Sequence, residues 1–124
     1  MSEKTILYVE DNEYNRKIVR QLFSRTSYRL IEAVDGEDGV AVAQKELPSL
    51  ILMDVQLPKM SGLEATRVLK ADARTGNIPI IVITSFALSG DREKAADAGA
   101  TDYIAKPYSP RELLTLVRQY LPES

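Results

Sequence analysis

The stretch SLILMDVQLPKMSG, residues 49–62, places a carboxylate directly after an apolar run. Four apolar residues, from Leu50 to Met53, are followed by Asp54, and Pro58 and Gly62 mark a turn beyond it. A continuous apolar run of this length is typical of a strand buried on both faces, as the central strands of parallel sheets are. The pattern therefore predicts a buried parallel strand that ends at a carboxylate.

The rest of the chain repeats this arrangement. Four further short apolar runs predict strands at Ile6 to Val9, Arg29 to Ala33, Ile80 to Ile83, and Tyr103 to Ala105. Segments with helical spacing lie between the runs, for example at Ile18, Leu22 and Phe23. Strands that alternate with helices in a short chain predict an α/β fold with a parallel sheet covered on both faces. We expect a flavodoxin-like (βα)5 doubly wound sheet of five parallel strands, in the order 2-1-3-4-5.

Capping signals agree with this alternation. The segments Ser61 to Glu64 and Ser109 to Glu112 both match the capping box of a helix N-terminus. Pro110 occupies the favoured first helical position, and Gly99 follows a predicted helix that ends after Ala98.

Composition excludes several classes of function. The 124 residues suffice for one domain, and we expect a single domain over residues 1–124, with a core of about 5–121 and no output domain. The net charge of -2 argues against a nucleic-acid partner. Histidine and cysteine are absent, which removes catalysis and metal binding by these residues. Neither a membrane span nor a signal peptide is evident, so we expect a cytoplasmic protein.

The predicted strand ends carry the polar residues. Glu10 and Asp11 follow the first strand and Asp54 follows the third, so three carboxylates should converge at the switch point of the sheet. Because clustered carboxylates repel one another, they favour a hard divalent cation with oxygen ligands, for which Mg²⁺ is the leading candidate. Thr84 and Lys106 follow the fourth and fifth strands and could contact a phosphoryl group there.

Each of these residues also has a purely structural interpretation. Glu10 and Asp11 precede a helical pattern, where Asp11 or Asn12 could serve as the N-cap. Asp54 could be a turn-forming carboxylate. Thr84 could be an ordinary strand residue, and Lys106 could be a solvated surface charge. The combination of residues favours a functional site.

Four motifs together resemble the receiver domain of two-component response regulators, the CheY-like superfamily. These motifs are VEDN at 9–12, LILMDVQLPKMSGLE at 50–64, IPIIVITSFA at 78–87 and GATDYIAKP at 99–107. The resemblance covers essentially the whole chain, and is strongest to single-domain cell-fate regulators and to hybrid-kinase receivers. It implies a phosphoacceptor protein of a two-component system or phosphorelay, not an enzyme beyond its own phosphorylation and dephosphorylation.

The resemblance assigns roles to the site residues. Asp54 would accept a phosphoryl group from phosphohistidine on a histidine kinase or histidine phosphotransfer protein. Glu10, Asp11, Asp54 and the backbone carbonyl of Gln56 would hold Mg²⁺ or Mn²⁺. Lys106 would bind the phosphoryl oxygens, and Thr84 would move to hydrogen-bond one of them.

The resemblance also implies a conformational switch. Tyr103 lies where the family carries its switch aromatic, although it could equally be an edge-strand aromatic packed against the last helix. The Lys106–Pro107 peptide should be cis. A downstream protein would bind the face of the fourth helix, fifth strand and fifth helix, with the protein a monomer or weak homodimer and no membrane partner. Candidate contacts on this face are Leu88, Arg92, Tyr103 and Arg111.

Three other functions remain open. A Mg²⁺-dependent phosphatase would also use an aspartyl nucleophile, but Gln56 stands where its second Asp should be. A flavin- or nucleotide-binding module would need a phosphate loop after the first strand, where acidic residues stand instead. A pseudo-receiver that binds partners without phosphorylation is the third.

Phe86 and Gln56 flank the site and could tune hydrolysis of the acyl phosphate, while Ser85 is often Ala in relatives.

Overall fold

The computed structural model describes residues 4–85 and 91–123, in which strands and helices alternate along the chain. The strands are β1 Thr5–Val9, β2 Arg29–Ala33, β3 Leu50–Asp54, β4 Ile80–Thr84 and β5 Asp102–Ala105. The helices are α1 Glu13–Phe23, α2 Gly36–Glu46, α3 Gly62–Ala71, α4 Asp91–Asp97 and α5 Pro110–Tyr120. All five predicted strands are present, and β3 and β4 each extend one residue further than expected, to include Asp54 and Thr84.

The strands form one parallel sheet in the order β2-β1-β3-β4-β5, which confirms the predicted flavodoxin-like topology. The chain leaves β1 for the edge strand β2 and then returns to the other side of β1 for β3. The order of the strands therefore reverses between β1 and β3, and the carboxyl ends of these two strands form the crevice in which such folds bind ligands.

Side chains of alternate parity on the central strands enter two separate core layers. One layer packs against α1 and α5, and it contains Tyr8, Leu52 and Ile83. The other packs against α2, α3 and α4, and it contains Val9 and Met53. Because the two layers cover both faces of the sheet, β3 and β4 are buried along their whole length. This burial explains their unbroken apolar sequences.

Ser61 and Ser109 are the N-caps of α3 and α5, as predicted, and α4 ends at Asp97, one residue before the predicted end at Ala98. At α5, Ser109 and Glu112 form both hydrogen bonds of the capping box, with Pro110 at the first helical position. At α3, the Ser61 hydroxyl accepts a hydrogen bond from the Glu64 amide at 3.2 Å. Gly99 has a φ of 96° just beyond α4, and the amide of Ala100 donates to Ala95 O, which closes a Schellman motif.

The helices are short, at most 11 residues each. Among residues 4–85 and 91–123, no helix is both long and apolar enough to cross a bilayer.

Candidate functional site

The carboxyl ends of the three central strands, β1, β3 and β4, finish level with one another. Val9 pairs with Met53, Asp54 pairs with Ile83, and Thr84 is the last residue of β4. This register places the residues that follow β1 beside the ends of β3 and β4. The crevice predicted from the sequence is therefore lined by Glu10, Asp54 and Thr84, all three of which are buried.

The alternation of side chains along the strands explains which groups meet. Tyr8, Leu52 and Ile104 belong to the layer that faces α1 and α5. Two positions further along each chain segment stand Glu10, Asp54 and Lys106, so these three side chains emerge on the same side of the sheet. Each stands at or just beyond the end of an apolar strand that is fixed by the core, and the positions of the charged groups are fixed with it.

Lys106 joins the two buried carboxylates. Its Nζ lies 2.7 Å from Asp54 Oδ2 and 3.3 Å from Glu10 Oε1, while Glu10 and Asp54 are each only 2 % exposed. Burial alone lowers the pKa of Lys106, but the hydrogen bond and negative charge of Asp54, together with Glu10, outweigh it and raise the pKa. The lysine therefore stays charged at neutral pH and compensates part of the buried negative charge.

The second oxygen of Asp54 is held by the loop that follows it. The amide of Gln56 donates to Asp54 Oδ1 at 3.0 Å, and the Gly62 amide closes the loop by donating to Val55 O at 2.9 Å. A Cβ at Gly62 would lie 1.8 Å from Asp54 O, so glycine alone permits this approach. The turn signals noted after β3 thus position the Asp54 carboxylate.

Glu10 is fixed by residues that surround it on several sides. The Asn12 amide donates to Oε2 at 3.1 Å, while Asn15 Nδ2 and the Tyr8 hydroxyl approach Oε1 at 3.4 Å and 3.3 Å. The guanidinium of Arg16 donates to the backbone carbonyl of Glu10 at 2.8 Å. Glu10 is therefore a buried and fully partnered carboxylate rather than a solvated loop residue.

Asp11 differs from the other two predicted carboxylates because it is exposed. It is not the N-cap of α1, since Asn12 has that position and accepts a hydrogen bond from the Asn15 amide. Among the described residues, no three acidic side chains are already gathered as a cation site. Lys106 occupies the space between Glu10 and Asp54 instead.

Thr84 and Tyr103 lie on the opposite side of the sheet from Lys106. Thr84 continues the parity of Ile80 and Val82, which enter the layer against α2, α3 and α4, and the half-buried Tyr103 packs against the same layer. The interpretation of Tyr103 as an aromatic packed on the last helix is wrong, because Ile104, its neighbour in β5, faces α5. The guanidinium of Arg92 lies 5.2 Å from the centre of the Tyr103 ring.

The remaining sequence predictions for this end of the sheet have mixed outcomes. The Lys106–Pro107 peptide is cis, as expected. Arg111 is exposed on α5. Phe86 and Leu88 lie outside the described residues.

An apolar groove opens beside the site. It has a volume of about 610 Å³ and lies between α1 and the loop that joins β5 to α5. Its walls include Ile18, Leu22, Pro107 and Tyr108, and Lys106 also lines it.

Sequence reasoning missed Tyr8 and Asn15 as contacts of Glu10. The period of a strand could have revealed Tyr8, because a residue two positions before Glu10 in β1 shares its face. Asn15 lies in the first turn of α1, and its approach to Glu10 depends on how that helix crosses the sheet.

The sequence matches a known protein family over most of its length. The response regulator receiver domain model matches residues 6–118, which is most of the chain. The chain belongs to the response regulator receiver domain family. Receiver domains are phosphoacceptor regulators in two-component signalling, and they interact with histidine kinases and downstream targets.

Several receivers are similar over nearly their full length. The polar-differentiation response regulator DivK of Brucella anthropi is 40% identical over 121 residues, which cover 98% of each chain. The receiver domain of the sensor histidine kinase PA1611 of Pseudomonas aeruginosa is 36% identical, with a TM-score of 0.88 over 96% of this chain and 98% of that one. In that structure a magnesium ion is coordinated in the active-site cleft. The chemotaxis response regulator CheY4 of Vibrio cholerae is 27% identical, with a TM-score of 0.90 over 97% and 100%.

Proposed function

We propose that this receiver domain accepts a phosphoryl group on Asp54 from phosphohistidine of a histidine kinase or histidine phosphotransfer protein. The observation that carries the proposal is the placement of the Asp54 carboxylate at the carboxyl end of β3. One of its oxygens is held by Lys106 at 2.7 Å and the other by the Gln56 amide at 3.0 Å. A carboxylate held in this way is oriented for attack and has a cation beside it.

The transfer exchanges one bond to phosphorus for another. An Asp54 carboxylate oxygen forms the new O–P bond as the N–P bond of phosphohistidine breaks, and the electron pair of that bond returns to the imidazole nitrogen. Asp54 needs no proton removed before attack, which suits a chain without histidine. Lys106 Nζ, which already contacts Asp54, is placed to donate to a phosphoryl oxygen on the same carboxylate.

The donor set fits Mg²⁺. Glu10 and Asp54 are buried carboxylates that share the single Lys106 ammonium, and the exposed Asp11 adds a further negative charge beside them. Together with the backbone carbonyl of Gln56 these groups offer only oxygen ligands, which Mg²⁺ prefers. When bound, the ion supplies charge neutralisation and orients the phosphoryl oxygens.

Phosphorylation is expected to require a divalent cation, because Glu10, Asp54 and an incoming phosphodonor are all negatively charged. The wild-type protein should gain one phosphoryl group from a small acyl phosphate in the presence of Mg²⁺ and none in excess chelator, as followed by intact-mass spectrometry. Equal incorporation with and without Mg²⁺ would contradict the metal requirement. Continuous release of phosphate from small phosphate esters over many turnovers would indicate a phosphatase instead.

We further propose that Thr84 and Tyr103 transmit phosphorylation to a downstream target on the face of α4, β5 and α5. Tyr103 packs on the α4 side of the sheet, Thr84 has the same strand parity as Ile80 and Val82 of that layer, and Arg92 of α4 stacks over Tyr103. The backbone of Lys106 also donates to Thr84 O at 2.6 Å, which links the ends of β4 and β5. A phosphoryl group that binds the Thr84 hydroxyl would therefore act on β5 and on the contact between Arg92 and Tyr103.

Thr84→Ala is expected to remove the response of β5 to phosphorylation, because the hydroxyl that contacts the phosphoryl group is lost. Amide hydrogen exchange of Asp102–Ala105 should change on phosphorylation in the wild type and stay constant in the variant, while phosphoryl incorporation by mass persists. Thr84→Ser keeps the hydroxyl and should retain the response. A full wild-type response in Thr84→Ala would contradict this switch.

A further inference from the structure

A buried hydroxyl lies directly beneath the candidate site. Tyr8 stands in the central strand β1, its side chain is 0 % exposed, and its ring is surrounded by the apolar layer against α1 and α5. Phenylalanine would fill the same space, so packing explains the ring but not the oxygen. A hydroxyl buried without a partner is destabilising, and buried hydroxyls accordingly have partners.

The Tyr8 hydroxyl hydrogen-bonds the Glu10 carboxylate and also has the Tyr108 hydroxyl beside it. The Tyr8 hydroxyl donates to Glu10 Oε1 at 3.3 Å. The same oxygen accepts hydrogen bonds from Lys106 Nζ at 3.3 Å and from Asn15 Nδ2 at 3.4 Å. These donors come from three places, namely the sheet, the β5–α5 loop and helix α1. The Tyr8 donor is the most deeply buried of them, and it is carried by the strand that leads into Glu10.

Unlike the hydrogen bond from Lys106, the hydrogen bond from Tyr8 to Glu10 does not compete with a phosphoryl group on Asp54. Lys106 is part-exposed and is shared with Asp54, so its ammonium is drawn toward a phosphoryl group that binds Asp54. Tyr8 is fixed in the core, where its hydroxyl has the Tyr108 hydroxyl as its other hydrogen-bonding neighbour and does not reach the phosphoryl acceptor.

We propose that Tyr8 is a positioning residue that holds the Glu10 carboxylate in its orientation for the divalent cation. The inference rests on the proposed function, since it gives a purpose to the orientation of Glu10. Groups that hydrogen-bond a metal-binding side chain orient it and strengthen binding, and their loss reduces metal affinity by about tenfold or more. Tyr8 thus acts on the cation through Glu10 without touching the phosphoryl group.

The test compares two tyrosine variants. Tyr8→Phe removes the hydroxyl at Glu10, and Tyr28→Phe removes another buried tyrosine hydroxyl of the same core layer, whose partner is the carbonyl of Leu121. Binding of Mg²⁺ alone is measured by titration calorimetry, and folding by thermal melting. We expect Tyr8→Phe to raise the Kd for Mg²⁺ by about tenfold, and Tyr28→Phe to leave it unchanged.

Phosphorylation kinetics separate positioning from general damage to the fold. In Tyr8→Phe, the Mg²⁺ concentration that gives half of the maximal phosphorylation rate should rise by the same factor as the Kd. The rate at saturating Mg²⁺ should return to that of the wild type. A purely structural role would lower the melting temperature without moving the Mg²⁺ dependence.

A measurement on the wild type does not depend on the variant folding. In protein labelled with ¹³C at the tyrosine Cζ, Mg²⁺ should shift the Tyr8 resonance and leave that of Tyr28 in place. Equal Mg²⁺ affinity in wild type and Tyr8→Phe, or an unshifted Tyr8 resonance when Mg²⁺ is bound, would overturn the role of Tyr8 alone. A wild-type protein that binds no Mg²⁺ would overturn the metal site itself and this inference with it.

Discussion

Asp54→Asn is expected to abolish phosphoryl incorporation, because the amide that replaces the carboxylate is not a nucleophile toward phosphorus. The variant should nevertheless fold, since an asparagine keeps a side-chain oxygen for the Gln56 amide and Lys106 keeps Glu10 as a partner. The measurement is the intact mass after incubation with an acyl phosphate and Mg²⁺, in parallel with a thermal melt.

A matched control for this variant removes a carboxylate elsewhere. Asp72 lies on the C-terminal side of α3, where Arg74 hydrogen-bonds it and holds its pKa at about 2. Asp72→Asn should be phosphorylated like the wild type. Incorporation into Asp54→Asn at the wild-type rate would show that the acceptor is another residue.

Lys106→Met is expected to destabilise the metal-free protein by about 3 kcal/mol, because it leaves two buried carboxylates without their shared cation. Glu10 and Asp54 are each 2 % exposed, and Lys106 Nζ contacts both. Mg²⁺ should restore more stability to the variant than it adds to the wild type, since it binds only the folded site and replaces the missing charge. Urea unfolding with and without Mg²⁺ measures both effects.

The same variant should also be phosphorylated much more slowly, because no ammonium remains to stabilise the transferring phosphoryl group. Lys70→Met is the matched control. Lys70 is likewise partly buried, but its ammonium donates to the carbonyls of Gly76 and Ile78 rather than to carboxylates. Mg²⁺ should therefore not rescue Lys70→Met. A Lys106→Met protein as stable as the wild type without Mg²⁺ would contradict the proposed charge balance.

The sequence was sufficient to predict the sheet because apolar patterning and burial coincide in this chain. The runs from Leu50 to Met53 and from Ile80 to Ile83 are continuous because both faces of β3 and β4 are covered. Once the strand order is known, the residues that follow the strands must share one edge. The meeting of Glu10, Asp54 and Lys106 could thus be anticipated from their positions.

The arrangement of the charges within the site could not be read from spacing. The sequence led us to expect three converging carboxylates, whereas Lys106 bridges two of them and Asp11 is exposed. Asp11 and Glu10 are adjacent in sequence, so they project in different directions where the chain leaves β1. Of the two interpretations of Tyr103, the one that placed it against α5 was wrong, since the side on which it packs depends on the register of β5 rather than on proximity to α5.

The central claim is that Asp54 carries the phosphoryl group, and locating that group tests it most directly. The wild-type protein is phosphorylated in the presence of Mg²⁺ and reduced with borohydride, which converts an aspartyl phosphate to homoserine, and its peptides are then sequenced by mass spectrometry. Homoserine is expected at position 54 and at no other aspartate. Homoserine at Asp11, or a stable phosphoryl group on Thr84 or Ser85 with Asp54 unchanged, would contradict it.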